Sequence, residues 1–264
     1  MRNSFSSLGK SVLSGLGKKT LCSVLQSMLV FFGCLLFCYI LIAITLKVMP
    51  SLPVGLAWDF ANYCGFISVA ICLILFSYTG KPRWFPSFDG KYFSRLHSRM
   101  ADLTAFYLLL HIVVLLLDEP ILVNYLLPSA PRYMLSGIFS AVIFIIILVT
   151  SRSVFRKKML RPHSRFKEFH YILSIDFMLL VFDPITGSQY YINSFYEELL
   201  WAIIFSLFIA FPVVFGAKYK DSYITLFCDR RIKLTAKWPD FQVFCFALSM
   251  LIVITYYVLS NIYE

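Results

Sequence analysis

Two of the four histidines in this 264-residue chain lie on one basic-to-apolar stretch, residues 91–117, KYFSRLHSRMADLTAFYLLLHIVVLLL. His97 and His111 are fourteen positions apart, which at about 100° and 1.5 Å per residue places both imidazoles near one face of a helix. They would lie about 21 Å apart along its axis, a large part of the roughly 30 Å hydrocarbon thickness of a bilayer. Such a pair suits two haems, one in each leaflet. The alternative is an interfacial histidine and an unrelated buried one.

The other two histidines, His163 and His170, lie in residues 161–173, RPHSRFKEFHYIL. Pro162 suits the first turn of a helix, on which the two histidines, seven positions apart, would share a face. His170 would then enter the membrane from the same side as His97 and lie at a similar depth. Two neutral imidazoles facing each other across a helix bundle can form a bis-histidine haem site. Alternatively, His163 and His170 are polar residues at the level of the lipid headgroups.

The composition predicts a membrane protein. The chain is 59% apolar and 14% charged, whereas soluble domains are about half apolar and a quarter charged. Several apolar runs exceed the roughly 18 residues that suggest a transmembrane helix. The first run, residues 21–44, is too long for a signal-peptide core and has no small-residue cleavage site behind it, which predicts a retained anchor.

The apolar pattern predicts seven spans and their orientation. The spans are residues 21–46, 55–78, 97–117, 133–150, 168–183, 196–215 and 240–260. All 24 Lys and Arg except Lys47 and Arg132 fall in the leader, in alternate connections or, for Arg99, in the first turn of span three. The positive-inside rule therefore places the N-terminus in the cytoplasm and the C-terminus outside. The net charge of +10 then reflects topology and contact with anionic lipid, which argues against nucleic acid as a partner. Trp58 and Trp201 are expected in an aromatic belt at the outer boundary, and Trp84 and Trp238 in one at the inner boundary.

Other polar residues within the spans are candidates for a role in the bundle. Acids inside a membrane are costly and mark functional sites by default. Asp59 lies near the outer end of span two and Asp176 lies within span five. For Asp176 we weigh proton movement or pairing with an arginine against a hydrogen bond within the bundle; Asp102 is close enough to Arg99 to pair locally. The seven cysteines show no CxxC and no metal-ligand spacing, which indicates small apolar packing residues.

Four segments resemble the ferric reductase-like transmembrane domain, a family shared by haem-b ferric reductases and NADPH oxidases. Residues 77–84, SYTGKPRW, are similar to the "TP-R" end of that family's second helix, and residues 98–111, SRMADLTAFYLLLH, resemble its third. Residues 137–151, GIFSAVIFIIILVTS, are similar to its "LGI…LAxTS" fourth helix, and residues 165–173, RFKEFHYIL, resemble the "W-x-x-LH-x-x-Y" opening of the fifth. The order matches over about residues 15–220, and the likeness is closer still to the haem-b membrane subunit of the bacterial periplasmic methionine sulfoxide reductase system.

The resemblance implies two haems b between the third and fifth helices, each held by one histidine from each helix. His97 and His170 would bind the inner haem iron, and His111 would bind one side of the outer haem iron. His163, which shares a helix face with His170, is a fourth candidate for cofactor binding. The outer partner is expected about thirteen residues after His170, where the chain has Asp183, which is not a haem ligand of this kind. This departure implies a single haem, an outer haem with an unusual ligand, or a relative that has lost haem.

The predicted fold is an all-α polytopic membrane protein with a six-helix ferric reductase-like core and a seventh C-terminal helix. The predicted parts are a polar leader (1–20), the core (21–217), and a cytoplasmic connection with the extra helix (218–264). The resemblance implies an electron-transfer subunit of a bacterial inner membrane that passes electrons through haem b to ferric iron or a periplasmic partner. The sequence has no nucleotide or flavin motif, so the donor would be a separate flavoprotein, a quinol or a small carrier. The rival is a non-catalytic scaffold or partner subunit on the same fold, and a transporter comes third.

Overall fold

The computed structural model describes residues 25, 28–29, 31–40, 43, 55–77, 90–152, 154–156, 163–187, 191–192, 194–218 and 238–263. All regular elements in these ranges are helices, which confirms the all-α prediction. The predicted leader, Trp84 and the connection up to residue 237 lie outside the described residues, so the domain boundaries and the orientation stay predictions.

Seven α-helices are present in the described part of the chain. They are α1 (Phe31–Ile40), α2 (Leu56–Phe76), α3 (Gly90–Asp118), α4 (Arg132–Ser151), α5 (His163–Gly187), α6 (Phe195–Lys218) and α7 (Trp238–Tyr263), with a 3-10 helix at Pro120–Leu126 between α3 and α4. In α2 to α5, the segments Leu56–Phe76, Tyr92–Asp118, Arg132–Ser151 and Arg165–Gly187 are long and apolar enough to cross a membrane. The protein is therefore a multi-pass membrane protein, while the total of seven spans stays a prediction.

The helices of the core are arranged as two closely packed pairs, α2 with α3 and α4 with α5. Residues of α2 fill the centre of the bundle, because this helix also contacts α6 and α7. Its fully buried side chains are mostly small or β-branched: Ala61, Cys64, Ile67, Ala70 and Ile71. Among the described residues, α3 and α5 share no extensive backbone packing, which leaves a seam between the two pairs.

Small residues lie where the start of α4 meets the end of α5. A Cβ added at Gly187 would lie 2.7 Å from Cβ of Tyr133, and one added at Gly137 would lie 3.6 Å from Cβ of Pro184. Glycines at such positions allow two helix backbones to approach closely, as is common in membrane bundles. Pro184 lies inside α5, close to its end at Gly187.

Trp201 corrects one prediction from the sequence. Its side chain is only 1% exposed and packs between Phe66 and Phe205, with ring centroids 5.9 and 6.1 Å away. The prediction that Trp201 belongs to an aromatic belt at the membrane boundary is therefore wrong, because the ring belongs to the core between α2 and α6.

Helix α7 lies against α2 and α3. The Tyr107 hydroxyl donates a hydrogen bond to the backbone carbonyl of Ala247 over 2.7 Å, and the Tyr92 hydroxyl donates to Gln242 Oε1. The side chain of Asp240, in the first turn of α7, binds two arginines of α3. The seventh helix thus covers the side of α3 that faces away from α5.

Candidate functional site

His97 and His170 lie opposite each other across the seam between α3 and α5. Their ring centroids are 6.3 Å apart and their planes make an angle of 64°. Metal–imidazole nitrogen bonds are about 2 Å long, so two imidazoles on opposite sides of one metal ion have ring centroids about 6 Å apart. The spacing of this pair therefore fits a bis-histidine haem iron.

His170 has neighbours on the sides that do not face His97. Its Nδ1 lies 3.3 Å from the hydroxyl oxygen of Ser151, at the end of α4. The ring of Phe166, one turn earlier in α5, stacks on the imidazole with centroids 5.3 Å apart and planes at 30°. The guanidinium of Arg156 lies 5.6 Å from the centre of the Phe166 ring.

Ion pairs surround the part of α3 that carries His97. Asp102 pairs with Arg99 at 3.6 Å, which confirms the predicted local contact, and also with Arg152 at 2.5 Å. Asp240 of α7 pairs with Arg95 at 2.8 Å and with Arg99 at 2.7 Å. The pairs connect α3 to the end of α4 and to the start of α7, so the helix that carries His97 is held from two sides.

His111 lies on the α2 side of α3. Its Nδ1 is 2.8 Å from the backbone carbonyl of Ala61, so Nδ1 carries the proton that forms this bond. The ring packs on Gly65, where an added Cβ would lie 3.1 Å from Nδ1 and 3.2 Å from Cε1. A glycine is therefore needed opposite His111 for the imidazole to lie so close to α2.

Asp183 binds α4. Its carboxylate accepts hydrogen bonds from Arg132 Nε (3.1 Å), Arg132 Nη2 (3.0 Å) and Ser136 Oγ (2.9 Å). Asp183, the residue at the position expected for the outer ligand, thus joins α5 to the start of α4. His163 is the first residue of α5, and its side chain lies outside the described residues.

We expect Asp183→His to leave the haem content of the protein unchanged. The new imidazole would replace a carboxylate that is engaged with Arg132 and Ser136, and it would leave a guanidinium without its partner. The measurement is the haem-to-protein ratio of the purified variant beside the wild-type protein, with Asp183→Asn as the matched control. A higher ratio in Asp183→His alone would show that the side chain can reach an outer haem.

Two further acids differ in their surroundings. Asp59 is 2% exposed and Tyr191 is 3% exposed, and the Tyr191 hydroxyl donates a hydrogen bond to the Asp59 carboxylate over 2.6 Å. Burial, together with the neighbouring Asp59 carboxylate, raises the pKa of Tyr191, so its hydroxyl keeps the proton that it donates. Asp176 lies on the exposed surface of α5 and is not directed into the bundle.

The comparison with protein families agrees with this arrangement of helices. Residues 64–181 match the family described as the ferric reductase like transmembrane component. The matched segment is similar to a ferric reductase-like transmembrane domain. It contains His97, His111 and His170 and ends two residues before Asp183. No curated protein and no solved structure matches the chain.

The match to the ferric reductase-like family indicates a class of function. A domain of this kind suggests electron transfer across a membrane. Within the described residues, no group of three or more His, Cys, Asp or Glu is arranged to hold a metal ion. The spacing of the His97–His170 pair is that of two protein ligands on one haem iron, because a haem ring supplies four ligands and takes two from the protein. Helices α1, α6 and α7 lie outside the matched segment.

Proposed function

We propose that this protein transfers electrons through one haem b, held between His97 of α3 and His170 of α5. The observation that carries the proposal is the 6.3 Å separation of the two ring centroids across the seam. The electrons come from a donor on the cytoplasmic side and pass outward to ferric iron or to a periplasmic redox partner. The family match supports electron transfer of this kind.

The haem supplies the one-electron chemistry, and the protein supplies the ligands and surroundings. His97 and His170 are the two axial ligands, one from each helix pair. Apolar side chains of both pairs limit the access of water, which helps to set the reduction potential. Ser151 and Phe166 contact the imidazole of His170 and limit its rotation.

A single haem is proposed because the outer end of the seam lacks a second facing pair. His111 is held to α2 through Ala61, and Asp183 is held to α4 through Arg132 and Ser136. The Nδ1 bond of His111 leaves its Nε2 lone pair free, but Asp183, at the position expected for the second ligand, is not a haem ligand of this kind and is engaged with α4. This arrangement favours one inner site over two stacked sites.

The topology and the redox partners belong to the same proposal. The distribution of Lys and Arg favours an N-terminus in the cytoplasm and seven spans. The resemblance to the family favours a six-helix core and a bacterial inner membrane. The donor is a separate flavoprotein, a quinol or a small carrier. The basic cytoplasmic connections would attract an acidic donor and raise its association rate at low salt.

The test is a reduced-minus-oxidised absorption spectrum of the purified full chain, with haem quantified as the pyridine haemochrome. We expect a b-type spectrum and one haem per chain. Two haems per chain would contradict the single site. No haem, in protein from cells supplied with haem, would overturn electron transfer and favour a non-catalytic scaffold on the same fold.

A further inference from the structure

We propose that Ser151, the last residue of α4, is a positioning residue that fixes His170 in the tautomer able to bind a metal through Nε2. The inference rests on the proposed function, because it concerns the same site. It adds a residue from α4, a helix that carries none of the four candidate histidines.

The hydrogen bonds of Ser151 determine where its proton lies. A serine hydroxyl has one proton to donate and two lone pairs that accept. Ser151 Oγ lies 2.6 Å from the backbone carbonyl of Ile147, and a carbonyl can only accept, so the serine proton lies in that bond. The same oxygen is 3.3 Å from Nδ1 of His170. The serine oxygen can form a hydrogen bond with Nδ1 only as the acceptor, so Nδ1 must carry a proton.

This proton assignment decides which nitrogen of His170 is available. A neutral imidazole with its proton on Nδ1 has its lone pair on Nε2, and the hydrogen bond at one nitrogen sets the role of the other. A partner that accepts from Nδ1 also orients the ring and raises the basicity of the ligating nitrogen. The stacked ring of Phe166, 5.3 Å away, opposes rotation of the imidazole.

The end of α4 is itself fixed relative to the other histidine. Arg152, which follows Ser151, binds Asp102 of α3 at 2.5 Å, and Asp102 lies five residues after His97. The Ser151–Arg152 dipeptide thus contacts α5 through its serine and α3 through its arginine. In this way the end of α4 sets the position of His170 with respect to His97.

The tautomer can be measured on the full chain without haem, because four histidines give a simple spectrum when labelled with nitrogen-15. We expect the His170 signal, assigned by its loss in His170→Ala, to show a protonated Nδ1 in the wild-type protein. Ser151→Ala should remove this preference and weaken haem binding to the haem-free protein on the order of tenfold. Ser151→Thr keeps a hydroxyl able to bond the helix carbonyl, so it should retain both the tautomer preference of His170 and the haem affinity.

Thr150→Ala is the matched control. The Thr150 hydroxyl also donates to a helix carbonyl, that of Ile146 at 2.7 Å, but the structure records no contact with a histidine. A loss of haem affinity in Thr150→Ala equal to that in Ser151→Ala would overturn the inference. An unchanged His170 tautomer in Ser151→Ala would also overturn it. If the wild-type protein binds no haem, the proposed function fails, while the tautomer of His170 still decides the role of Ser151.

Discussion

The variants His97→Ala and His170→Ala are each expected to purify without haem. The two imidazoles face each other at 6.3 Å between ring centroids, so removal of either leaves the iron with one axial ligand. Loss of an outer-shell partner of a metal ligand costs up to about 100-fold in affinity, and loss of a ligand itself should exceed this. The measurement is haem per chain by pyridine haemochrome, after size-exclusion chromatography has shown that the variant is folded.

His111→Ala and His163→Ala are the matched controls for this prediction. His111 lies on the same helix as His97 but is held to the carbonyl of Ala61 on α2, and His163 lies on the same helix as His170. Both variants should keep one haem per chain. Equal losses from all four substitutions would contradict the assignment, because they would indicate that haem content follows general stability and not ligation.

Tyr191→Phe is expected to lower the free energy of unfolding by about 2 kcal/mol, the usual cost of leaving a buried polar group without its partner. Tyr191 and Asp59 are 3% and 2% exposed, and the substitution removes the hydroxyl that donates to the Asp59 carboxylate. The measurement is the midpoint of thermal or denaturant-induced unfolding in detergent micelles. Tyr196→Phe is the control, because Tyr196 is 81% exposed and the same loss of a hydroxyl there should change little.

A double variant separates the hydrogen bond from the other effects of each substitution. Asp59→Leu combined with Tyr191→Phe removes both polar partners, so its destabilisation should be smaller than the sum of the two single effects. Strict additivity would contradict a direct interaction between the two side chains. The haem content of all three variants should equal that of the wild-type protein, because neither residue contacts the His97–His170 pair.

The sequence predicts the helices and the inner histidine pair well, because both follow from regular patterns. Apolar runs broken by polar connections locate α2 to α5 to within a few residues, apart from the earlier starts of α3 and α5. Helical periodicity and the distribution of basic residues place His97 and His170 at one depth. The short motifs at the ends of these helices lead to the family that residues 64–181 match.

The contacts between helices are harder to predict, because they depend on how each helix is rotated about its axis. The sequence predicts Asp183 at the end of span five, but its bond to Arg132 depends on the close approach of α4 and α5 that Gly187 permits. No pattern in the sequence points to Tyr191, which lies in a connection without periodicity. Tryptophan favours both membrane boundaries and cores, so Trp201 could not be assigned from its position alone.

The division of the core into two helix pairs has a consequence for the biogenesis of the protein. Two contacts join α4 to α5: Arg132 with Asp183 near the start of α4, and Ser151 with His170 at its end. Neither contact involves the α2–α3 pair. This division would allow each pair to form its internal contacts before the two pairs meet. A haem held by His97 and His170 would then join the pairs together with the Arg152–Asp102 ion pair, and the supply of cofactor would affect the joining of the pairs and not the contacts within each.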